Sequence, residues 1–200
     1  MHQTEQKRYS KTTALVLCGI FAALMAICSF ITIPLGFTPV PINLATLGVF
    51  LTGGILGKKY GSISLIVYIL LGAVGVPVFA GFKGGLGVLA GPTGGYIIGY
   101  LAAAFLTGLL VELVFTKTGT DPGQRSAKSS TSRFIGIILA MIAGLSACYA
   151  LGTAWFMIST GTGLGAALIS CVIPFLPGDA AKIIVGALLV QKLRPVIPIR

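Results

Sequence analysis

Apolar positions along this chain fall into six long blocks, each closed by proline, glycine or charged residues rather than by regularly spaced polar positions. The first covers residues 13–33, about 21 residues, enough to cross a hydrocarbon core of ~30 Å. A proline-bearing stretch, 34–41, ends it. The second and third blocks, 42–56 and 62–76, flank Gly57-Lys-Lys-Tyr-Gly61. Beyond Pro77 comes a glycine-rich segment, 79–92, and then the fourth block, 93–115. Residues 116–132 are polar and predict a hydrated loop. The fifth block, 134–159, is followed by a glycine-rich turn at 160–165 and the sixth block, 166–189. This pattern predicts an all-α membrane protein, a single domain of six transmembrane helices. The second and third blocks have about 15 apolar residues each, short of the ~20 that a crossing needs. Irregular backbone survives at membrane depth only where protein or a cavity shelters it. Segments 34–41 and 79–92 are therefore expected to fold over the outer face as pocket walls. The alternative is that they are plain exposed connectors.

Composition sharpens the class. Of 200 residues, 56% are apolar and 9% charged, with a mean hydropathy of +1.00. A soluble domain carries roughly 25% charged residues, so this surface faces lipid. The net charge of +10 does not indicate nucleic acid, because the charges lie between apolar blocks rather than in one hydrated patch. Their placement sets topology instead. Twelve of the fourteen basic residues fall before the first block, in alternate connections or after the sixth block, one side of the membrane if every block crosses once. The positive-inside rule makes that side cytoplasmic, with both termini inside the cell membrane. The opposite side holds Lys83 alone, and Lys182 lies within the sixth block. The first block is too long for a signal h-region and is followed by others, so it is expected to be retained. His2 is the sole histidine, and Cys18, Cys28, Cys148 and Cys171 sit in apolar blocks without CxxC spacing. No metal, no cofactor and no Ser-His-Asp catalysis is expected, nor does any hydrolase or metalloprotease motif occur.

Asp179 and Lys182 carry the chemistry. They interrupt an otherwise uncharged stretch between Arg133 and Lys192. A charge within the bilayer costs about 2.5–3.5 kcal/mol on insertion scales, so such residues face a bundle interior or polar cavity. Three positions apart, they share a helix face. Pro174 and Pro177 break the helix upstream, placing Asp179 in the first turn of the resumed segment, where the helix dipole favours an acid. Either the two simply pair to permit burial, or Asp179 accepts from ligand N–H groups while Lys182 neutralises a ligand anion. Glu112, at the cytoplasmic end of the fourth block, reads as interfacial. Gly91-Pro-Thr-Gly-Gly-Tyr96 opens the fourth helix with backbone that a ligand can approach closely, or serves helix packing alone. The first block offers small residues at Gly19/Ala23 and Ala22/Ala26, faces that permit tight helix contact.

Four stretches together resemble the BioY family, the biotin-specific substrate-binding components of energy-coupling factor (ECF) vitamin transporters. They are Pro39-Val-Pro-Ile-Asn-Leu-Ala-Thr-Leu-Gly48, Leu70-Leu-Gly-Ala-Val-Gly-Val-Pro-Val-Phe-Ala-Gly81, Gly84-Gly-Leu-Gly-Val-Leu-Ala-Gly-Pro-Thr-Gly-Gly-Tyr96 and Phe175-Leu-Pro-Gly-Asp-Ala-Ala-Lys182. The resemblance implies an outward-opening pocket that binds biotin through Asp179, Lys182, Thr93, Gly94, Tyr96 and Asn43. Within that pocket the expected division of roles, a hypothesis added to the resemblance, is Asp179 to the ureido ring and Lys182 to the carboxylate. The resemblance also implies a non-enzymatic transport component set among membrane lipids. Its partners would be a transmembrane coupling protein, met through Ala22 and Ala26, and two cytoplasmic ATPases. Many relatives have Gln where this chain has Ala45, which leaves uptake of another small carboxylated solute as the alternative. A membrane enzyme using Asp179 and Lys182, or a purely structural subunit, are the other readings of the same residues.

Overall fold

The computed structural model describes residues 11–117 and 127–197. The chain is mostly helical. Helix α1 covers Lys11–Phe30 and leads into a two-residue antiparallel ribbon, β1 (Thr32–Ile33) against β2 (Ile42–Asn43). Pro34, Pro39 and Pro41 between them lack N–H donors, which keeps the ribbon short. Then follow α2 (Ala45–Ala73), the short α3 (Leu86–Ala90), α4 (Gly94–Lys117), α5 (Ala127–Thr160) and α6 (Leu164–Cys171). A single 3-10 turn, Ile173–Phe175, precedes α7 (Leu176–Leu193). Among the described residues, five stretches are long and apolar enough to cross a membrane, counting α6 through α7 as one and α2 as one.

Helix α2 is not one rod. Gly57 has φ +77° and ψ −179°, a conformation essentially reserved for glycine. The chain reverses there. A Cβ placed on Gly61 would lie 3.0 Å from the Thr52 carbonyl oxygen, a residue that a straight helix would hold about 13 Å away. The second arm starts at once: the Lys58 N–H donates to Glu112 Oε1 at 3.1 Å, and Lys58 Nζ lies 3.8 Å from Oε2. The second and third apolar blocks are thus the two arms of this hairpin. Residues 58–61, read as a connection, are helical, and the break is one residue wide.

Other boundaries differ for identifiable reasons. The fifth helix begins at Ala127, not 134, because its polar first turns carry no hydropathy signal. Part of the expected hydrated loop is therefore helix, and residues 118–126 of it lie outside the described residues. The sixth block divides into α6 and α7 at the prolines, as their positions require, and Asp179 occupies the first turn of α7.

Helix α4 packs on the α2 hairpin and α5, α1 packs on α2, and α7 closes against α2 and α5. Buried side chains form two clusters. One contains Met25, Tyr68, Phe79, Tyr96 and Tyr100, and the other Phe50, Ile55, Val111, Ile137 and Met141. Beside the second cluster, the guanidinium groups of Arg133 and Arg194 stack on Phe115 at 4.8 and 5.2 Å, and Arg194 donates to the Gly54 carbonyl. Outward faces carry many large apolar side chains, among them Ile20, Ile27, Leu139, Ile158 and Ile184. Apolar patches of this extent occur where a membrane covers them.

Candidate functional site

Asp179 and Lys182 lie one turn apart on α7, both buried, at 2% and 9% exposure. Lys182 Nζ is 2.9 Å from Asp179 Oδ1. From the first turn of α2, Thr46 donates to Asp179 Oδ1 at 2.9 Å and accepts from Lys182 at 3.1 Å. From α5, the Tyr149 hydroxyl donates to Asp179 Oδ2. A buried ion pair is tolerable only when such bonds replace the lost water. Three elements, α2, α5 and α7, thus converge on one carboxylate.

The pair lines a cavity of about 240 Å³. Its walls are aromatic, with Tyr68 and Phe79 meeting edge to face at 5.5 Å. Wall hydroxyls are held by neighbours: Tyr68 bonds Ser29 at 2.8 Å and Tyr96 bonds Thr153 at 3.1 Å. Loop residues 34–35, 38–41 and 79–81 line it as well, so both irregular segments are pocket walls, not plain connectors. The second of these loops is tied down at two points. Phe79 and Lys83 exchange backbone hydrogen bonds at 2.9 and 3.4 Å, and Phe82 stacks on Phe30 at 4.4 Å.

Of the residues expected at the site, Asp179, Lys182, Thr93, Tyr96 and Asn43 line the cavity. Asn43 also caps α2, its Oδ1 accepting from the Ala45 N–H at 3.0 Å. Gly94 does not line it: a Cβ there would collide with the Leu89 backbone, so this glycine serves the close α3–α4 turn. Ala45 is fully buried and is not a wall residue. Ala22 and Ala26 point into the bundle at 4% and 9% exposure, which removes them from any lateral surface. The small residues that α1 presents outward are Gly19 and Ala23. Thr46 and Tyr149 were missed, because a hydroxyl in an apolar block gives no sign of its partner. Glu112 sits at the hairpin turn and not in the cavity. Among the described residues, no cluster of His, Cys, Asp and Glu is arranged to hold a metal, and all four cysteines are buried free thiols.

A model of the BioY family matches residues 2–199. This chain belongs to the BioY family. Among the BioY proteins it resembles, the biotin transporter BioY of Thermotoga maritima is 39% identical over 181 residues, covering 90% of this chain and 95% of the relative. That of Rhodobacter capsulatus is 39% identical over 184 residues, with coverage of 88% and 90%. A solved structure, the S-component for biotin from an ECF-type ABC transporter, superposes with a TM-score of 0.76 at 33% identity, over 97% of this chain and 95% of that one. These BioY relatives are named as transporters, not enzymes.

Proposed function

We propose that this chain is the substrate-binding component of a biotin uptake system, capturing biotin outside the cell and delivering it to the cytoplasm. The observation that carries this reading is the buried Asp179–Lys182–Thr46–Tyr149 cluster lining an aromatic-walled cavity. Carboxylate, ammonium and hydroxyl groups converge there on a space suited to one small polar headgroup. The names of the BioY relatives supply the ligand. Six crossings follow if the two arms of α2 each traverse the bilayer. Clustering of Lys58, Arg133 and Arg194 at the end opposite the cavity supports cytoplasmic termini and an outward-facing pocket.

The solved neighbour's description as an S-component supports an energising module of a transmembrane coupling protein and two ATPases. Nothing in the chain's own motifs holds a nucleotide, so ATP dependence enters through those partners. The outward Gly19/Ala23 face of α1 suits close contact with a coupling helix. Copurification with tagged chain tests the partnership.

The ligand is tested by equilibrium binding of labelled biotin to detergent-purified protein, beside Asp179→Asn and Lys182→Ala. Wild type is expected to bind, and both variants to lose affinity by tenfold or more, as hydrogen bonds to charged groups are worth ~1.5–3 kcal/mol. Full affinity in either variant removes the cluster from the site.

A further inference from the structure

We infer that Lys83, rather than Lys182, reads the ligand's carboxylate, and that the Asp179–Lys182 pair reads its ureido group. This rests on biotin being the ligand and reassigns its orientation in the pocket. Three charged residues line the cavity: Lys83, Asp179 and Lys182. Asp179 and Lys182 neutralise each other at 2.9 Å, so the lining carries one net positive charge, and Lys83 is its source. Among the described residues no carboxylate lies within ion-pair distance of Lys83. A monocarboxylate is the complement of that surplus.

The bonding capacity left at the pair agrees. An ammonium has three donors, and Lys182 spends two, on Asp179 and Thr46. A carboxylate has about four acceptor sites, and Asp179 has filled three, from Lys182, Thr46 and Tyr149. One donor and one acceptor remain on the pair. That is the complement of a cyclic urea edge, which offers a carbonyl oxygen beside an N–H. A second carboxylate brought there would meet a pair that is already neutral and buried, where an uncompensated charge is costly.

Lys83 reaches the same cavity from the loop after α2, a different element from those that hold the pair. Its backbone is fixed by the bridge to Phe79, beside the Phe30–Phe82 stack, while its side chain is exposed at the loop that walls the cavity. A carboxylate meeting it there keeps part of its hydration. A long side chain with a compact ammonium suits a tail that need not be gripped in one geometry.

The experiment is competition of labelled biotin by biotin and by biotin amide, in which the carboxylate is replaced by a neutral carboxamide. Wild type is expected to prefer the acid about fivefold, the scale of one partly hydrated charge pair, and less as salt rises. Lys83→Gln should bind the two alike, Lys83→Glu should prefer the amide, and Lys83→Arg should keep the wild-type preference. Lys182→Met should weaken both competitors together. A wild type indifferent to the amide, or a preference intact in Lys83→Gln and lost in Lys182→Met, overturns the assignment while leaving biotin as ligand. Folded wild type that binds no biotin at all overturns both this inference and the reading beneath it.

Discussion

Asp179 and Lys182 are both buried, and each is tolerated because the other is present. Removing one partner leaves an uncompensated buried charge, whereas removing both leaves a smaller problem. Asp179→Asn should therefore destabilise the detergent-purified protein by about 3 kcal/mol. Adding Lys182→Met should recover part of that loss in Tm without restoring ligand binding. A double variant no more stable than the single would show that the pair is not the source of the strain. The two charges were legible in the sequence because they interrupt a long uncharged run, and the proline break beside them placed Asp179 in a first turn. Thr46 and Tyr149 were not, since hydroxyls are common in apolar helices and only the folded chain shows which of them reaches α7. Lys83 was visible as the sole basic residue on its side of the chain. Counting it only for topology concealed its place on the cavity wall.

At the level of elements, the α2 hairpin turns on one residue. Gly57 occupies backbone space that an L side chain enters only at a cost of about 1–3 kcal/mol. An added methyl would also strike the Glu112 carboxylate that caps the second arm. Gly57→Ala is expected to lower thermal stability by that amount. Gly19→Ala, at a glycine of α1 with no atom within 4 Å of an added Cβ, should leave it unchanged or slightly raised. Equal effects in a thermal-shift comparison would mean that the reversal does not depend on the glycine conformation. Hydropathy announced a break near Gly57-Lys-Lys-Tyr-Gly61 but made it too wide, because Lys58, Lys59 and Tyr60 look like a loop when only their polarity is read. The polar start of α5 was hidden for the same reason. By contrast, the inward turn of Ala22 and Ala26 needed the packing of α1 on α2, which composition does not encode. Two small-residue faces on one helix are equivalent until a neighbour covers one.

The whole molecule is polarised along its helices, with the cavity and Lys83 at one end and Glu112, Phe115, Arg133 and Arg194 at the other. Basic residues at the second end resist translocation, so that end should face the cytoplasm and the cavity the exterior. The four native cysteines are buried, which gives a low background for a charged maleimide applied to intact cells. Lys83→Cys should be labelled from outside. Lys58→Cys and Lys117→Cys should be labelled only after the membrane is opened. This pattern also tests the crossing count. If α2 did not traverse the bilayer twice, positions 58 and 83 would lie on the same side and become labelled together. Labelling of both Lys58→Cys and Lys83→Cys in intact cells would therefore defeat the six-crossing arrangement. Labelling of Lys117→Cys but not Lys83→Cys would invert the orientation and close the cavity to extracellular ligand.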